Sequence, residues 1–133
     1  MTIAMDWEGK GAFCVDITGQ VGLAIGEIAN PEGVDVTITQ AWLECITGST
    51  GAAAVNVGIG ASGADANDIL SAFDFNAITE GSLINCYIPE IVAETEVTVP
   101  ADWGAAQYIT FTGAASTAGF TGKLFVKYIR QSV

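Results

Sequence analysis

The sequence contains no histidine. That removes the commonest general base near neutral pH and the commonest metal ligand. A Ser-His-Asp or Cys-His catalytic site is therefore excluded within this chain. Basic residues are nearly as scarce: four Lys and Arg stand against 15 Asp and Glu, a net charge of −11. Such a surface repels phosphate, which argues against nucleic acid and anionic membranes as partners. The three cysteines, Cys14, Cys45 and Cys86, are an odd number that cannot pair completely within the chain. Their spacing fits no zinc motif. No apolar run is long enough to span a bilayer. Residues 1–11 show no basic start followed by an apolar stretch, so no secretory signal is read there and synthesis in the cytoplasm is expected.

What the chain does have is apolar residues and glycine. Half of its 133 residues are apolar, only 14% are charged, and 16 are Gly. This is too apolar for an unfolded chain and long enough for one domain with a real core. The composition, rich in Val, Ile and Thr, suits pleated surfaces, and glycine suits the turns between them.

Residues 1–11 read as an arm, in which Trp7 stands among Gly, Asp and Glu and to which no period is assigned. A single Trp on an arm calls for a pocket on a neighbour. Residues 12–133 read as the folded domain. Strands are expected at Phe13 to Thr18, Val21 to Ile28 and Val34 to Thr47. Asn30-Pro31-Glu32-Gly33 is a turn, with Pro presetting its own φ and Gly accepting a positive one. Val34, Val36 and Ile38 alternate with polar residues, but Ala41, Leu43 and Cys45 fall on the other parity. A bulge after Gln40, or burial of both faces, accounts for the change. Ala53, Val55, Val57 and Ile59 carry the cleanest alternation. Ile69 to Phe75 reads as a strand or one short helix. Further strands are expected at Ser82 to Ile88, Glu94 to Val99, Gln107 to Thr112 and Phe120 to Arg130. Short strands with turns between them predict a single-domain, all-β antiparallel sandwich or barrel of about eight strands.

Chemistry is hard to find. Carboxylate pairs can act on glycosidic bonds, but so many acids make close pairs inevitable. Gly58-Ile59-Gly60 lacks the spacing and following helix of a phosphate loop. Asp65-Ala66-Asn67-Asp68 is the best metal candidate, though it lacks the calcium-loop pattern and reads more simply as an Asx-capped turn. No enzyme, cofactor or metal is therefore expected. Trp7, Trp42 and Trp103 could together form a sugar-stacking platform, but Trp42 lies among apolar neighbours in a strand and is expected in the core, while Trp103 sits in a turn, as a plug over one end of the sandwich or as an exposed sugar contact. Cys45 and Cys86 lie in strand-like runs and are expected as buried thiols; Cys14 is the candidate for an intersubunit disulfide. The basic residues are Lys10, Lys123, Lys127 and Arg130, three of them in the last strand. That strand reads either as an edge protected by lysine or as a contact strip for an acidic neighbour, another copy included. Trp7, Lys10, Lys123, Lys127 and Arg130 are accordingly the candidate protein-interface residues.

Several stretches resemble a family of small head proteins of tailed bacteriophages. They include Ile28-Ala29-Asn30-Pro31-Glu32-Gly33, Thr47-Gly48-Ser49-Thr50-Gly51-Ala52-Ala53, Trp103-Gly104-Ala105-Ala106-Gln107-Tyr108-Ile109-Thr110 and Ala118-Gly119-Phe120-Thr121-Gly122-Lys123. The similarity covers roughly residues 21 to 130 and lies in turn order and spacing. It implies a capsid decoration, or cement, protein with a jelly-roll sandwich. Such a protein sits on the virion exterior as a homodimer or homotrimer and binds the major capsid protein. The rival expectations are a self-assembling subunit of an extracellular filament or tail fibre, and a carbohydrate-binding surface module.

Overall fold

Alternation in the apolar pattern becomes two faces of a sheet, because successive side chains on a strand point to opposite sides. The computed structural model describes residues 10–86, 90–92, 97–99 and 101–130. They form eleven strands and no helix: β1 Lys10–Thr18, β2 Ala24–Ala29, β3 Val36–Thr47, β4 Ala54–Gly60, β5 Leu70–Asp74, β6 Leu83–Asn85, β7 Glu90–Val92, β8 Val97–Val99, β9 Ala101–Trp103, β10 Tyr108–Gly113 and β11 Thr121–Arg130.

One sheet has the order β1-β11-β3-β6, with β9 also paired to β3; a second has the order β2-β10-β4-β5. Among the described residues, strands β7 and β8 pair with each other as a separate two-stranded sheet. With β7 to β9 set aside, the remaining strands in chain order fall first-eighth-third-sixth in one sheet and second-seventh-fourth-fifth in the other. That is the double Greek key of a jelly roll. The ambiguous segment around Ile69 resolves as strand β5, and the second strand begins at Ala24, which leaves Val21 and Leu23 exposed in the preceding loop.

The change of parity in β3 is a bulge. Lys127 of β11 pairs with Gln40 and Tyr128 pairs with Ile38, so Thr39 has no opposite residue. Val36 and Ile38 before it, and Ala41, Leu43 and Cys45 after it, all reach the core. Both faces are not buried: Trp42 is only half-buried and Ile46 is exposed, so Trp42 lies outside the core in which its neighbours had placed it. Trp103 does the reverse. It is fully buried, and its indole Nε1 donates to the Gln107 carbonyl at 3.0 Å. A ring so buried offers no exposed platform for a sugar.

Between the sheets, Phe75 stacks on Phe120 with ring centroids 4.1 Å apart. Ile38, Leu43, Ile69, Leu70, Ile109 and Leu124 are fully buried around them. Each such side chain contributes about 1.5–3 kcal/mol by leaving water. At one end of the sandwich the β2–β3 turn is tied to the β9–β10 loop. Gly33 takes φ +67°, the left-handed value that glycine accepts freely. Asn30 Nδ2 donates to the carbonyls of Val34, Trp103 and Gly104, and Asp35 accepts from the Ala105 amide at 2.9 Å. On the outer face of the second sheet, the loop after β4 folds back so closely that a Cβ on Gly58 would collide with the Ala66 backbone. That sheet therefore presents no open face at Gly58.

Candidate functional site

The outer face of the first sheet is the one that departs from a plainly wet surface. Because β11 pairs with β1 on one side and β3 on the other, three rows of residues run across it. The middle row is Cys14, Phe125, Trp42 and Asn85; the next is Asp16, Lys123, Glu44 and Leu83; on the other side lie Ala12, Lys127 and Gln40. Phe125 and Trp42 are half-buried, Cys14 is exposed, and Leu83 is 58% exposed. Lys127 Nζ stands 5.5 Å from the Trp42 ring centroid, a cation–π contact. Lys123 Nζ lies 3.9 Å from Asp16 Oδ1, a loose surface pair of little energetic weight. Two shallow depressions flank the aromatic pair. One, of about 430 Å³, is lined by Trp42, Glu44, Gly81, Leu83 and Phe125; the other, of about 300 Å³, adds Ala12, Phe13, Cys14 and Lys127 around the same two rings.

This places the candidate interface residues. Lys123, Lys127 and Cys14 share one face. Arg130 is exposed at the far end of β11, away from the aromatic row. Lys10 opens β1 opposite Ile129, so Lys10 and Gly11 belong to the strand and the preceding segment ends at Gly9. Trp7 lies outside the described residues. The last strand is not an edge: β11 is central, held on both sides, so its lysines do not serve as edge protection. Trp42, Phe125 and Leu83 were not among the candidates. The signal for Trp42 was the parity change read after Gln40; the structure places the bulge at Thr39, which turns Trp42 outward.

The carboxylates elsewhere serve the fold. Asp65 accepts from Asn56 Nδ2, Asp68 from the Ile59 amide, and Glu27 from Ser62 Oγ and the Gly63 amide. Asp74 accepts from the amides of Ala53 and Asn76, and these bonds hold its carboxyl below the usual range. Among the described residues, no three His, Cys, Asp or Glu gather in a way that suits a metal ion. Cys45 and Cys86 are buried free thiols, and burial pushes Cys86 up to about 12. Cys14 is also unpaired within the chain.

A further groove of about 390 Å³ opens along the side of the sandwich between β1 and β2. Val15, Ile17, Ile25, Ile28 and Phe111 line it, with Asp16 and Glu27 also on its walls. Among the described residues, its charged lining is acidic.

No family model, curated protein or solved structure matches this chain.

Proposed function

We propose that this chain is a non-enzymatic structural virion protein: a decoration, or cement, protein on the outside of a phage head, which it stabilises. Its partners are the major capsid protein and other copies of itself. The observation that carries the reading is the outer face of the β1-β11-β3-β6 sheet, where Trp42 and Phe125 are offered half-exposed between Lys123 and Lys127. Aromatic rings set in shallow depressions are the residues on which protein–protein binding energy concentrates. They stand on two neighbouring strands, β3 and β11, each held on both sides within the sheet, so little ordering cost attends their docking. Modest contacts of this kind, repeated over a lattice, gain strength through avidity. The turn-order resemblance to phage head proteins and the jelly-roll strand order support the same reading.

The test is the copy number of this chain in purified particles from its source, relative to the major shell protein. A fixed, near-stoichiometric ratio is expected. A few copies per particle would point instead to a fibre or vertex component, and absence from particles would reject the virion reading.

A further inference from the structure

The chain carries a net charge of −11, so two copies repel each other on balance. The aromatic face is the exception. Three of the four basic residues of the sequence lie on β11, and two of them, Lys123 and Lys127, bracket Phe125 on that face. The same sequence carries, in the nine residues before β1, the acidic tripeptide Asp6-Trp7-Glu8.

We propose that residues 1–9 of a second copy dock across this face. Trp7 enters the depression lined by Trp42, Glu44, Gly81, Leu83 and Phe125, and Asp6 and Glu8 meet Lys123 and Lys127. The inference deepens the reading of the arm and the last strand as contact surfaces and does not depend on the presence of a shell. Charge favours this site over the lateral groove: Asp16 and Glu44 on the aromatic face stand beside Lys123 and Lys127, whereas the groove's Asp16 and Glu27 would face the two acids of the arm with no lysine in its lining. The chemistry also matches in detail. An indole stacks on Trp42 or Phe125, and its N–H finds an acceptor in the Glu44 carboxylate. Lysine stems cover apolar surface while their ammonium groups reach the flanking carboxylates.

Reach selects a second copy over the same one. The Leu83 wall of the depression lies six residues along β1 and three strands across from Lys10, about 24 Å away in standard sheet geometry. Trp7 precedes Lys10 by three residues, which span at most about 11 Å. Even with the length of its own indole added, the Trp7 of one chain therefore falls short of its own Leu83 wall.

A charge-swap experiment on the full chain tests this by sedimentation velocity, with far-UV circular dichroism to show that each variant is folded. One variant carries Lys123→Glu and Lys127→Glu, the other Asp6→Lys and Glu8→Lys. The wild-type chain is expected to self-associate, and each variant alone to do so about tenfold or more weakly. Mixing the two variants restores association, because a reversed arm then meets a reversed face. A wild-type chain that stays monomeric, variants that associate like wild type, or folded variants whose mixture fails to associate would each overturn the proposal. Self-association of this kind by a chain absent from particles would refute the virion role alone. Particles loaded with a monomeric chain would refute the arm docking alone.

Discussion

Asn30 offers the sharpest test of how the two sheets are held at one end. Its Oδ1 accepts from the amides of Glu32 at 2.9 Å and Gly33 at 3.2 Å, which shapes the turn after β2. Its Nδ2 donates to Val34 O at 2.9 Å and to Trp103 O and Gly104 O at 3.1 Å, which ties that turn to the loop after β9. Asn30→Ala removes all of these. The groups around Val34 and Gly33 are exposed and are taken over by water, whereas the Glu32 amide and the Trp103 and Gly104 carbonyls are part-buried. At about 1 kcal/mol net for each part-buried hydrogen bond, the loss is about 2–3 kcal/mol. Urea unfolding should show this as a midpoint about 1–2 M lower at an unchanged slope. Asn30→Asp separates the two halves of the side chain. It keeps the acceptor that shapes the turn but turns a carboxylate oxygen toward carbonyls that need a donor. It should therefore cost more than Asn30→Ala. An Asn30→Asp variant as stable as wild type would refute the argument that the amide donor joins the sheets.

Two further outcomes are expected. Tyr128 is nearly buried, and its hydroxyl donates to Glu32 Oε1 at 2.9 Å. Burial, followed by the bond to Glu32, raises its pKa above the ordinary value near 10. The neutral phenol is the form the fold favours, so its contribution is complete below pH 10 and lost as pH rises through the raised value. The stability gap between wild type and Tyr128→Phe, measured by urea titration at pH 7, 9 and 10.5, should shrink at the highest pH; a constant or widening gap would contradict this. In thiol labelling, Cys14 should react within minutes on the native protein, whereas Cys45 and Cys86 should react only when the chain unfolds, since burial raises the pKa of both. Rapid modification of a second thiol in the native state would show that the core opens.

The all-β class, one folded domain and most strand positions are legible in the sequence by itself. They depend on local chemistry: period-2 alternation in Val55, Val57 and Ile59, the Pro31 and Gly33 turn, and small-residue loops. The absence of a His-based catalytic site is equally local, since a missing residue is missing in any fold. The contact face was not legible in the same way. Cys14, Phe125 and Trp42 are far apart in the chain and meet only because β11 inserts between β1 and β3, a pairing set by long-range register. The direction of Trp42 turned on one extra residue: the bulge at Thr39 flips the side chains that follow it, from Gln40 to Cys45, and local pattern admitted either a bulge or burial of both faces. Trp103 likewise read as a turn residue until β9 paired with β3 and carried its ring into the core. Sequence determined most of the strands; tertiary pairing decided which side of the sheet each one shows, because a strand offers two equivalent faces and only its neighbours choose between them.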